Sequence, residues 1–176
     1  MRFLAAVFAL FWAVAAPAAE ISFPPLTGRV VDQAKVLSAQ TERTLEEHLA
    51  AHERATHQQV VVATVPSLQG QAIADYGYQL GRAWGIGQSK ENNGALLIVA
   101  PADRRVRIEV GYGLEGVLTD ALSNVILQQR ILPKFKAGDL PGGVEDGADA
   151  VIEQLQLPPD EAKQLELPRR LQVDRS

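Results

Sequence analysis

Residues 92–120, NNGALLIVAPADRRVRIEVGYGLEGVLTD, decide the fold. Gly94–Ala100 (GALLIVA) is an unbroken apolar run with the length and branching of a strand buried on both faces. Arg104–Val110 alternates instead, with Val106, Ile108 and Val110 on one face and Arg105, Arg107 and Glu109 on the other. The simplest role of the arginine face is a solvated, charge-paired sheet surface. The link Pro101-Ala102-Asp103 is too short for a crossover helix, so the two runs read as an antiparallel hairpin. Its second strand returns Gly111–Asp120 to the edge where the first began. Asn92 and Asn93 should therefore lie close to Glu115 and Asp120.

Upstream, Val60–Val65 (VVVATV) is a second buried-strand candidate, and Ile73–Trp84 reads as a helix with Ile73, Tyr76, Leu80 and Trp84 on one stripe. Strand, helix and strand from Val60 to Ala100 make a parallel pair, so the hairpin turns the sheet into a small mixed one. Gly77 and Gly81, one turn apart, weaken that helix and read as close-packing positions against the sheet. Before it, Val30-Val31 is a short strand candidate, and Ser38 an N-cap for a helix to about His57 with Leu45, Leu49 and His52 on one face. After Asp120 a helix to about Ile131 turns Leu122, Val125 and Ile126 inward, and Pro133 ends or kinks it. Gly138-Asp139 and Gly142-Gly143 bracket a loop. A last helix buries Val144, Ala148, Val151, Ile152 and Leu155.

The ends carry different signals. Arg2, the apolar run Phe3–Ala16 and Ala16-Pro17-Ala18-Ala19 have the layout of a secretory signal peptide, with cleavage after Ala18 or, next, Ala19. Residues 1–18 are thus expected as a leader, 19–156 as one domain and 157–176, with Pro158-Pro159 and Pro168, as a flexible tail. The destination is the periplasm or the medium, and no transmembrane segment is expected in the mature chain. The net charge of −4 falls to about −5 once Arg2 is removed, and there is no basic stripe, which argues against nucleic acid. Cysteine is absent, which removes disulfides and thiol nucleophiles.

Three motifs invite chemistry. Gly111–Gly116 (GYGLEG) matches G-x-G-x-x-G, but the next helix starts only after Thr119 and no strand completes a dinucleotide-binding unit, so a tight turn explains the glycines better. His48 and His52 lack the glutamate of H-E-x-x-H, and His57 points elsewhere, so they read as helix-surface residues. What remains is oxygen-rich: Asn92, Asn93, Glu115, Asp120 and the carbonyls of Gly111–Gly116, donors that suit a hard divalent cation. An equally good reading makes Asp120 or Thr119 a helix cap and the Asn pair a turn.

The run RAWGIGQSKENNGALLIVAPADRRVRIEVGYGLEGVLTD, with VVDQAKVLS before it and ILPKFKAGDLPGGVEDGADAVI after it, closely resembles the TPM domain family, the YgcG-like and thylakoid-lumen acid-phosphatase-like proteins. The resemblance spans about residues 26–156. It implies an α/β fold, a three-layer α/β/α sandwich, in an exported or tethered domain that in some members binds a divalent cation, here expected as Ca²⁺. By motif it carries over Asp32, Asn93, Glu115 and Asp120 as polar crevice residues and metal ligands. It implies an accessory or interaction module of the cell envelope, with an envelope or membrane-complex protein as partner. The alternative it implies is a metal-dependent acid phosphatase, in which the cation would activate water.

Overall fold

The computed structural model describes residues 21–88, 90–158 and 161. β1 (Val30–Asp32), β2 (Gln59–Thr64), β3 (Gly94–Ala100) and β4 (Arg105–Val110) form one sheet in the order β1-β2-β3-β4. The first three strands are parallel, and β4 returns antiparallel to β3, pairing Ala95 with Val110 and Ala100 with Arg105. This is the mixed sheet expected from the hairpin. The expected leader (1–18) lies outside the described residues, as does most of the expected tail.

Helices cover both faces. α1 (Ala39–Thr56) and α5 (Leu140–Leu155) bring Leu45, Leu49, Val144 and Val151 onto the face that carries Val62, Leu97 and Ile108. α2 (Ile73–Trp84) brings Tyr76 and Leu80 onto the opposite face, with Val61, Leu96 and Ile98. Successive residues of a strand point to opposite faces, so a strand covered on both sides must be apolar throughout. All seven residues of β3 are buried for that reason.

Local chemistry sets the element ends. Ser38 caps α1, its Oγ accepting from Thr41 N at 3.0 Å, and His57 ends it in the left-handed region at φ 60°. Asp139 caps α5, accepting from Gly142 N at 2.9 Å, so Gly142 and Gly143 lie in the first turn of that helix and not in a loop. A Cβ on Gly143 would sit 2.5 Å from the Phe135 ring, and one on Gly147 2.5 Å from Ile131 Cδ1. The glycines let α5 close on its neighbour.

Pro133 does not end its helix. α3 (Asp120–Ile126) passes into a π-helical turn, Leu127–Ile131, and then into α4 (Leu132–Lys136). Leu132 N bonds Leu127 O, so the wider turn absorbs the donor and the space that a proline denies an α-helix. Val125, expected inward, is 43% exposed, because α3 buries the face of Leu122, Ser123 and Ile126 instead. From the π turn, the Arg130 guanidinium holds the Asp146 carboxyl of α5 below the ordinary carboxylate range, with Lys134 assisting.

His52 lies on the buried face of α1, 3% exposed, with Nε2 3.3 Å from Thr56 Oγ1. Burial lowers its proton affinity, against a smaller pull from Gln58 and the Glu53 charge. The unfolded chain, near its ordinary value of about 6.5, then binds this proton more readily than the folded one. The His52 contribution is full above that value and is lost as pH falls through the depressed folded value. Melting temperature should therefore fall from about pH 7.5 to about pH 5.5, well before the Asp146 contribution is lost at more acidic pH. His52→Gln should flatten that first decline, and an equally steep decline in the variant would assign it to another group.

Candidate functional site

The β3–β4 hairpin brings the two glycine-bearing loops together, as the sequence implies. Gly111 N donates to Gly94 O at 2.7 Å and Gly113 N to Asn92 O at 3.1 Å. A Cβ on Gly111 would run into Asn92 O, and one on Gly113 into Glu91 O. Here glycine is required by close backbone approach, since Gly111 has an ordinary extended conformation at φ −70° and ψ 148°.

Beside this junction, between α2 and the end of β4, lies a cleft of about 680 Å³. Such a volume is in the usual range of small-molecule sites. One wall is formed by Gly77 and Gly81 of α2 and Gly85, which ends that helix in the left-handed region, flanked by Tyr78 and Arg82. The other is Glu109, Val110 and Gly111, with Tyr112 and Glu115 on the short 3₁₀ turn that follows. Gly77 is a true packing position, its Cβ place lying 2.5 Å from Ile98 Cδ1 and 2.8 Å from Glu109 Cγ. Gly81, expected to pack likewise, has nothing within 4 Å of its Cβ place and opens into the cleft.

The charges are few and mostly committed. Arg107 Nε donates to Glu109 Oε1, so the β4 face is charge-paired as expected, but α2 partly covers it. Arg82 Nη1 donates to the Tyr78 hydroxyl at 3.0 Å, and its guanidinium carbon lies 5.6 Å from the centre of that ring. This contact engages Tyr78, a residue that is 58% exposed. Tyr112 is 80% exposed. Among the described lining residues Arg82 is the only cation, against two glutamates, and there is no serine, threonine, histidine or lysine.

The four residues expected as metal ligands are not brought together. Asp32 lies on the row of Thr64 and Val99, while Asn93 precedes Gly94. That separates them by roughly 20 Å along the strands. Asp32 accepts from Val36 N at 3.2 Å, Leu37 N at 2.8 Å and Thr64 Oγ1, holding the turn after β1. Asn93 accepts from Gln88 N at 2.8 Å and donates to His57 O at 2.7 Å, which ties three loops together. Asp120 is the first residue of α3, which Thr119 caps by accepting from Leu122 N at 3.2 Å. Of the four, only Glu115 lines the cleft. Calcium takes roughly six to eight oxygens, and no three His, Asp or Glu side chains among the described residues are placed to hold a metal. The set does not fit a common cation.

Tyr78, Arg82, Glu109 and Tyr112 did not stand out in the sequence. The available signal was the four-residue spacing of Gly77, Gly81 and Gly85, which marks one helix face as bare.

The comparisons agree with this architecture. The description "TPM domain" belongs to the family profile that matches residues 30–154. The solution NMR structure of the N-terminal domain of a protein from P. gingivalis is 38% identical, with a TM-score of 0.69, over 73% of this chain and 82% of that one. The N-terminal domain of cg2496 protein from Corynebacterium glutamicum (17% identical, TM-score 0.58, 80% and 88% covered) shares the fold. So does BA42 protein from the psychrophilic bacterium Bizionia argentinensis (21% identical, TM-score 0.59, 70% and 92% covered). No curated relative matches the chain. No helix of the described residues is long and apolar enough to cross a membrane. With a family profile spanning most of its folded length and a solved relative of this identity, the chain belongs to the TPM domain family.

Proposed function

We propose that this TPM domain is a recognition module, an accessory or interaction domain that binds a ligand in the α2–β4 cleft and does not turn it over. The observation that carries the reading is the cleft itself, a concavity walled by bare helix backbone and edged by two exposed tyrosines. Large exposed rings around a concave site mark binding surfaces. The composition of the lining speaks for binding over phosphoryl transfer. A phosphoester needs cations around the developing charge, and Arg82 is already engaged with Tyr78. Glu109, one of the two glutamates of the lining, is already engaged with Arg107. An exported accessory protein at the cell envelope, with a protein neighbour there, is the setting this reading assumes.

A fragment library screened by amide-resolved NMR tests it. Hits should cluster on residues 78–88 and 109–115, and Gly81→Leu, which fills open space, should abolish them without unfolding the domain. Hits that fall elsewhere, or that survive Gly81→Leu, would remove the cleft from the proposal. p-Nitrophenyl phosphate should not be hydrolysed above background with Ca²⁺ or Mg²⁺ present. Turnover that disappears in Glu115→Gln would instead restore the metal-dependent phosphatase.

A further inference from the structure

We infer that the cleft is a saccharide-binding groove that takes a pyranoside disaccharide or a short oligosaccharide. The inference rests on the recognition reading above and narrows it to a ligand class.

A pyranose ring has two kinds of surface. Its C–H faces are apolar and nearly flat, and its rim is a series of hydroxyls that each donate and accept. A site for it needs aromatic rings for the faces and planar polar groups for paired hydroxyls. It also needs walls low enough for the ring to approach backbone. All three are present. Tyr78 and Tyr112 are the most exposed large hydrophobic residues among the described ones, at 58% and 80%, and both line the same cleft. Arg82 fixes Tyr78 through its hydroxyl and its ring, so this platform is preorganised and loses little freedom on binding. Gln88, Asn92 and Glu115 supply amide and carboxylate groups on the same lining. The wall at Gly81 is backbone with open space beside it.

Charge and polarity exclude the main competitors. An anion such as phosphate would meet one committed arginine and two carboxylates. A wholly apolar ligand could pack on the tyrosine rings, Ile86 and Val110, but would leave Gln88, Asn92 and Glu115 without water or partner. A neutral polyol with a flat apolar face satisfies both groups at once. Gly81 fits this picture. A glycine within a helix weakens it relative to alanine, and no contact among the described residues requires it.

The test is titration of the ¹⁵N-labelled chain with cellobiose and, separately, with N,N′-diacetylchitobiose. At least one should shift the amides of residues 78–88 and 109–115 together. Tyr112→Ala should weaken that binding by about tenfold or more, whereas Tyr112→Phe, which keeps the ring, should hold it near the native value. Both variants sit at an exposed position and should fold. If neither disaccharide moves these amides at tens of millimolar, or if Tyr112→Ala binds as the native chain does, the saccharide reading is wrong. Parallel titrations with inorganic phosphate and with CaCl₂ separate this failure from that of the wider proposal. Shifts of the same amides by either ion, with none from the sugars, overturn the ligand class and leave a cleft that binds. Fragment hits abolished by Gly81→Leu, again with none from the sugars, would do the same.

Discussion

Leu97→Ala should be among the most destabilising single changes in this domain, costing about 2–5 kcal/mol. Leu97 is 1% exposed, at the middle of β3, with Val62 beside it on β2 and Ile108 on β4. Its side chain points to the two-helix face, where its Cδ2 lies 3.5 Å from the place a Cβ on Gly147 would take. Neither the sheet nor α5 can collapse readily into the space left behind. The strand is held on both sides, and α5 already rests on Ile131 through bare glycine. A large residual cavity is the condition under which such truncations cost most. Thermal unfolding should show a loss on the order of 10–20 °C for a domain of this size. A loss below about 1 kcal/mol would mean that β3 is not packed between two helix layers.

Gly111→Ala should produce the second large effect, for a different reason. The backbone angles there suit any residue, so the added methyl group does not meet conformational strain. It meets the carbonyl oxygen of Asn92, and Gly94 O at 2.9 Å, both of them backbone atoms at the end of the β3–β4 ladder. A side chain could rotate away, but a carbonyl on a paired strand must take its loop with it. Overpacking of this kind costs about 1–3 kcal/mol, occasionally more, and the displaced loop forms part of the cleft. Amide shifts at Asn92, Gly94 and Tyr112 should therefore accompany the lost stability. Gly116→Ala provides the contrast, because nothing lies within 4 Å of its Cβ place. It should be neutral within about 0.5 kcal/mol. Equal costs at the two glycines would contradict the close approach of the loops.

Both results depend on features that differ in how far the sequence reveals them. Strand and helix identity follow from period and length, so β3, β4 and the stripe of α2 are legible in Gly94–Ala100, Arg104–Val110 and Ile73–Trp84. The short link between Ala100 and Arg105 settles the hairpin, and the hairpin brings Asn92 beside Gly111 and Gly113. Caps are legible for the same reason. Ser38 binds a backbone amide three residues ahead, which is a local interaction.

What tertiary structure decided is what each exposed or glycine position faces. Gly77 and Gly81 lie one turn apart and look alike in sequence, yet Gly77 meets Ile98 and Glu109 while Gly81 meets nothing. The difference is that β3 and β4, distant in sequence from α2, supply atoms over Gly77 and none over Gly81. In α3 the buried face is set by Leu122, Ser123 and Ile126, which leaves Val125 outside although it is apolar. Asp32, Asn93, Glu115 and Asp120 share an oxygen-donor chemistry. Whether their oxygens are free is a separate matter, set by the groups that fold against them. Asp32 and Asn93 are taken up by backbone amides and Asp120 stands in a capped first turn, which leaves Glu115 at the cleft. Residue type and local spacing determine what a side chain can do, and the packing of distant segments determines which of them is left to do it.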